Sequence, residues 1–183
     1  FESFFVGIKT ILFGLFCKFV LADGLGLSVD ESLRNIQSLH GAQIFIVSVL
    51  YSFQIYFDFF GYSILAIGTA KLFNIRISEN FDRPYLSLSL KDFWRRWNIT
   101  LFQWLRHYLY IPLGGNRVEK KRQYVNILVV FIISGLWHGP TLNFLLWGGL
   151  HGILFILEDK LFVSRKNILS ERFIVQFIHV VLI

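Results

Sequence analysis

Residues 42–73 read AQIFIVSVLYSFQIYFDFFGYSILAIGTAKLF, a long apolar and aromatic run interrupted by Asp58 and Gly61. Crossing the hydrocarbon core of a bilayer as a helix takes about 20 apolar residues, and this run exceeds that. Comparable runs lie at 3–21 and 141–157, with a shorter one at 124–137. The whole chain has 183 residues, 55% of them hydrophobic, and a mean hydropathy of +0.57. A chain of that length has too much surface for its volume to hide 21 Phe, 7 Tyr and 5 Trp in one core. The expected fold is therefore all-α and polytopic, with the bilayer covering the remaining apolar surface.

Residues 76–122 have a different character, with mixed charge, five Arg before Asn116, and Trp94, Trp97 and Trp104. A 3.6-residue period over 91–110 places Phe93, Trp97, Leu101, Trp104 and Tyr108 on one stripe, which predicts a single amphipathic or re-entrant helix. Pro112 ends it and Gly114-Gly115-Asn116 supplies a turn. The loop predicted at 22–41 carries Asp23, Asp30 and Glu31 against Arg34, whereas 71–122 and 159–172 are rich in Lys and Arg. Basic loops stay cytoplasmic, so the turn at 137–141 is expected on the far side or within the membrane. The formal charge of +6 belongs to these flanks and not to a basic stripe beside stacking aromatics, so membrane lipid and not nucleic acid is the expected partner.

Lys9 and Lys18 inside the first run, with no small-residue cleavage site after it, argue against a signal peptide. Cys17 is the lone cysteine, which excludes an intrachain disulfide or a CxxC metal site. The chain opens on Phe, contains no Met and closes inside a fresh apolar run at 173–183. It reads as one membrane-embedded domain, residues 1–183, internal to or C-terminally truncated from a longer protein.

His138 lies in Ser134-Gly135-Leu136-Trp137-His138-Gly139-Pro140, where two apolar runs meet. An ionisable group at such depth is costly unless it faces protein or a wet cavity, which makes it a functional candidate by default. Two readings stand on these residues alone: a packed histidine satisfied by a neighbouring helix, or a neutral imidazole that takes a proton from a hydroxyl. Gly135 and Gly139 favour the second, since they let a substrate or backbone approach closely. His151, in Trp147-Gly148-Gly149-Leu150-His151-Gly152, fits helix packing through small residues better than chemistry. Trp94-Arg95-Arg96-Trp97-Asn98 offers Arg forks for phosphate or carboxylate, or else an aromatic and basic interface anchor. Asp58 is either a site residue or a helix-end acid paired with an Arg of the amphipathic segment. Neither a nucleophile elbow, a phosphate-binding glycine loop nor metal-spaced histidines occur.

Several motifs stand in order: Gln54-Ile55-Tyr56-Phe57-Asp58-Phe59-Phe60-Gly61-Tyr62-Ser63, Glu79-Asn80-Phe81, Phe93-Trp94-Arg95-Arg96-Trp97, Tyr108-Leu109-Tyr110-Ile111-Pro112-Leu113-Gly114-Gly115-Asn116-Arg117, and Gly135-Leu136-Trp137-His138-Gly139. Together they resemble the membrane-bound O-acyltransferase family, in its bacterial branch of alginate O-acetylase-like proteins, over a motif core at 53–158. The resemblance implies a multi-helix membrane fold longer than this chain, in the bacterial cytoplasmic (inner) membrane. It implies transfer of an acetyl group from a cytoplasmic thioester, acetyl-coenzyme A or an acyl carrier, to hydroxyls of an exported polysaccharide. Periplasmic or extracellular acetylation proteins are the implied partners, and no bound cofactor or metal is implied.

His138 matches the family's catalytic histidine. Asn98, which stands where the branch usually has a second histidine, is the expected carbonyl- or imidazole-orienting amide. Asp58, Arg95, Arg96, Trp97, Trp137 and His151 complete the candidate substrate- and donor-binding set. Ile64 and His107 replace acidic residues usual in the branch. Alternative readings are D-alanyl or other acyl transfer to a wall polymer, favoured less because of the run at 111–117, and a proton-coupled transporter or inactive scaffold.

Overall fold

The computed structural model describes residues 2–162, in which every regular element is helical. The predicted basic stretch beyond residue 162 and the apolar run at 173–183 lie outside these residues. The described residues form two compact units, 2–85 and 86–162.

In the first unit, α1 (Glu2–Leu15) passes through a π-helical segment (Phe16–Ala22) directly into α2 (Asp23–Arg34). The loop predicted at 22–41 is thus largely helix. The reason is tertiary: Val29 is fully buried, and a Cβ on Gly26 would lie 2.9 Å from the Gln54 amide nitrogen, so one face of this polar segment packs tightly. His40 and Gln43 cap each other reciprocally at the start of α3 (Gly41–Leu72). The helix has 32 residues, about 48 Å at 1.5 Å per residue, and runs unbroken through Asp58 and Gly61.

The expected interruption of that span is absent because both residues are absorbed by α1 and the π segment. Asp58 pairs with the Lys18 ammonium, a lysine and not the predicted arginine. Gly61 faces Gly14, and Gly68 faces Gly7, each added Cβ falling 2.7 to 3.0 Å from atoms of the opposite helix. Seven-residue spacing puts each pair on one face, so the two helices approach backbone to backbone in antiparallel register.

The chain after α3 returns onto it. Phe81 sets its edge against Tyr56 and Phe59, with ring centroids 5.5 and 5.2 Å apart. Tyr85 donates to the Ser52 carbonyl at 2.8 Å and lies 2.7 Å from the Ser52 hydroxyl. Burial pushes the Tyr85 phenol well above the usual tyrosine range, so it stays a proton donor.

The second unit begins with two short helices, α4 (Leu90–Arg96) and α5 (Ile99–Leu105), the latter continued by a π-helical segment (Arg106–Tyr110). The single helix predicted over 91–110 is therefore broken, at Trp97 (ψ 127°) and Asn98 (φ 43°, ψ 55°). The predicted stripe splits with it: Phe93 and Trp97 are buried, whereas Trp104 and Tyr108 are exposed. The turn at 111–116 forms as expected, with Gly114 and Gly115 in left-handed conformations. It is tied to α6 (Lys120–His138) by Asn126, which donates to the Leu113 carbonyl, and by Gln123, which donates to Asn116 and Tyr110.

Gly139, Pro140 and Thr141 separate α6 from α7 (Leu142–Phe162). The two form a close hairpin: a Cβ on Gly135 would lie 2.2 Å from the Phe144 carbonyl oxygen, and one on Gly148 would lie 2.3 Å from that of Phe131. Three helical stretches are long and apolar enough to cross a membrane, Glu2–Arg34, Gly41–Leu72 and Leu142–Lys160. The run at 124–137 falls short of that because α6 opens on Lys120, Lys121 and Arg122.

Candidate active site

His138 is the last residue of α6, at the point where glycine and proline stop the helix. Its ring stacks on Phe144 at 5.8 Å and meets the edge of Trp147 at 5.3 Å, both from α7, with Trp137 at 5.0 Å. The imidazole is therefore fixed by aromatic surfaces yet remains exposed. Asn98 reaches the same place from the other direction. It occupies the left-handed region, which Asn tolerates better than most side chains, and is only 6% exposed. A buried residue in that conformation is held by its surroundings, a pattern that clusters at functional sites.

His138 and Asn98 both line one narrow cleft with Trp94, Trp97 and Ser134. Its free volume of about 20 Å³ has room for one water. Beside it lies a cavity of about 810 Å³ lined by four cations, Lys91, Arg95, Arg106 and Lys120, and by Asp159. Phe102, Val130 and Phe131 line both spaces, so the cationic cavity and the cleft share a wall.

The remaining candidates separate. Trp97 borders the cleft and Arg95 the cavity, whereas Arg96 is tied to Asp92, Nε to Oδ1 at 3.0 Å. Trp137 is 58% exposed at the end of α6. His151 is buried between Trp94 and Trp147, with ring centroids at 5.2 and 4.6 Å, and borders neither space. Gly148 and Gly152 beside it pack α7 against α6, as the small-residue pattern predicts, while Gly149 faces open space. Asp58 belongs to the first unit, where Lys18 holds it. His107 bonds its own helix, Nδ1 lying 2.8 Å from the Gln103 carbonyl oxygen.

Sequence reasoning missed Ser134, although a residue one turn before His138 shares its face. It also missed Lys91, Arg106, Lys120 and Asp159, whose convergence is tertiary and leaves no local signature. Among the described residues no three His, Cys, Asp or Glu side chains converge as a metal site would require.

The sequence profile of the membrane-bound O-acyltransferase family matches residues 1–181. The chain belongs to that family. It is 48% identical over 148 residues to a peptidoglycan O-acetyltransferase of Helicobacter pylori, covering 81% of this chain and 28% of the relative. A probable alginate O-acetylase of Pseudomonas syringae is 38% identical over 165 residues, 90% of this chain and 32% of the relative. A teichoic acid D-alanyltransferase of Streptococcus thermophilus is 33% identical, covering 90% of this chain and 42% of the relative. The expected likeness to alginate O-acetylases is thus present, and the chain spans roughly a third of the length of the curated relatives it matches. Family membership and the three apolar helices make this a membrane protein.

Proposed function

We propose that the protein to which this chain belongs moves an acetyl group from a cytoplasmic thioester to hydroxyls of an exported or cell-wall polysaccharide, as a multi-pass protein of the bacterial inner membrane. The observation that carries the reading is that His138 and Asn98 line one cleft, which shares a wall with a cavity lined by four cations. Phosphates of a donor such as acetyl-coenzyme A suit Arg95 and Arg106, with Lys91 and Lys120 beside them shared with Asp159, and the shared wall of Phe102, Val130 and Phe131 suits the thioester arm. Arg96, already paired with Asp92, is the weaker donor ligand.

At the mouth of the cleft, where the His138 ring is exposed, the imidazole accepts the proton of the acceptor hydroxyl as its oxygen attacks the thioester carbonyl. Asn98 donates from its amide to the carbonyl oxygen as negative charge grows there. The C–S bond then breaks, and the leaving thiolate takes the proton back from the imidazolium. Proteins on the far side of the membrane receive or present the polymer.

In the full-length protein, His138→Ala is expected to lower ester-linked acetate on the polymer roughly a hundredfold to ten-thousandfold. Acetylation at the wild-type level would sink the assignment. The D-alanyltransferase relative supports a second reading, D-alanyl transfer to a wall polymer. Mass spectrometry of the released acyl group separates the two.

A further inference from the structure

Glu158, near the end of α7, is a carboxylate only 8% exposed that pairs with no cation among the described residues. Its two oxygens instead accept backbone N–H groups at the start of α4, from Leu90 at 2.7 Å and Lys91 at 3.1 Å. The third N–H of that helix, on Asp92, goes to the Ser89 hydroxyl at 3.0 Å, and the fourth, on Phe93, to the Ser89 carbonyl at 2.8 Å. The Phe93 bond is the first of the helix's own, so the three helix N–H groups that precede it, on Leu90, Lys91 and Asp92, all have side-chain partners, two of them on a residue 67 to 68 positions away. The next residue, Asp159, holds the side chains on either side: it pairs with Lys91 and Lys120 and accepts from Tyr124 at 3.2 Å.

A helix of seven residues does not hold itself in place. What fixes α4 matters for the cleft, because its far end carries Trp97 and the left-handed Asn98. Leu90 to Asn98 is eight residues, a lever of about 12 Å. A tilt of about 5° at the Glu158 end therefore displaces Asn98 by about 1 Å, enough to cost on the order of a hundredfold where a reacting group must be aligned.

The geometry points to Glu158 as a positioning residue for acyl transfer: by clamping the first turn of α4 it sets where Asn98 stands relative to His138. The inference rests on the proposed reaction. Gln at 158 keeps the volume but has one acceptor oxygen, and its NH₂ would face a backbone donor.

The test uses membrane vesicles carrying the full-length protein with its native partners, fed radiolabelled acetyl-coenzyme A. Initial transfer rates are taken per folded protein for wild type, Glu158→Gln, Asn98→Ala, the double variant and His138→Ala. Glu158→Gln is expected to slow transfer about tenfold in the wild-type background and less than about twofold in the Asn98→Ala background, because the clamp acts through Asn98. Losses that multiply would assign Glu158 to general stability and overturn the inference, as would a wild-type rate in Glu158→Gln or in Asn98→Ala. A wild-type rate in His138→Ala overturns the catalytic reading itself and takes the inference with it. Loss in His138→Ala with multiplying losses elsewhere leaves the reaction standing and removes only the role of Glu158.

Discussion

The two units solve the problem of packing helices by different means. Residues 2–85 use long continuous helices, two reciprocal glycine contacts and the Lys18–Asp58 pair, so most of their order comes from backbone proximity along a seam. Residues 86–162 combine a glycine-packed hairpin of α6 and α7 with the short helices α4 and α5, and specific polar contacts hold the interrupted part: Glu158 on α4, Asn126 on the Leu113 carbonyl, Asp159 among Lys91, Lys120 and Tyr124. A seam of small residues tolerates sliding and suits a structural span. Interrupted helices leave backbone groups that need partners, and in return they place side chains such as Asn98 where an unbroken helix would not. The candidate chemistry lies in the second kind of region.

The contrast is most sharply tested at Asn98. Asn98→Ala is expected to slow acyl transfer on the order of a hundredfold, and Asn98→Gly, which relaxes the left-handed backbone, by the same factor. If the glycine variant keeps wild-type turnover, Asn98 matters only for the chain break. Next in size is the hairpin of α6 and α7: Gly148→Ala is expected to lower stability by about 1–3 kcal/mol, because its Cβ would lie 2.3 Å from the Phe131 carbonyl oxygen. Gly149→Ala, whose added Cβ would meet no neighbouring element within 4 Å, serves as the control and should leave thermal unfolding of the detergent-solubilised protein unchanged or slightly improved.

In the first unit, Gly61→Ala puts a Cβ 2.9 Å from the Gly14 carbonyl oxygen and from the Lys18 backbone nitrogen. The expected outcome is a lower melting temperature with unchanged turnover per folded molecule; slower turnover would show that the seam also serves the reaction. Smallest is the ion pair. Lys18→Met leaves Asp58 without its cation and is expected to destabilise more than the double replacement Lys18→Met with Asp58→Asn, as thermal unfolding of both variants would show. Equal melting temperatures would mean that water already serves the carboxylate.

Much of the helical architecture was legible in hydropathy alone, because α3, α7 and the helical stretch that opens with α1 follow apolar runs on the scale of a bilayer. The extension of α1 into Asp23–Arg34 was not, since what keeps that polar stretch helical is the burial of Val29 and Gly26 against distant partners. The break at Asn98 was hidden for a similar reason. A 3.6-residue stripe continues across it in the sequence, and nothing local marks a left-handed residue where glycine and proline are both missing. His138 was legible as a costly imidazole beside helix-stopping residues. The cationic cavity was not, since Lys91, Lys120 and Asp159 converge only once α4, α6 and α7 are placed. Arg95 and Arg96, equivalent on paper, differ because an acid one turn earlier claims only Arg96.

The π-helical segment Phe16–Ala22 makes the number of residues between α1 and α2 a structural quantity. Its hydrogen bonds span five residues, as when the Asp23 N–H bonds the Lys18 carbonyl. A wide turn of this kind takes up one extra residue while the helix beyond it keeps nearly the same facing. Removing one residue and restoring the tighter winding would therefore leave Gly26 and Val29 close to their packed positions. The segment is slack in the chain, so a single-codon deletion here should be absorbed, and length variation among relatives is expected in this segment before it is expected inside α3.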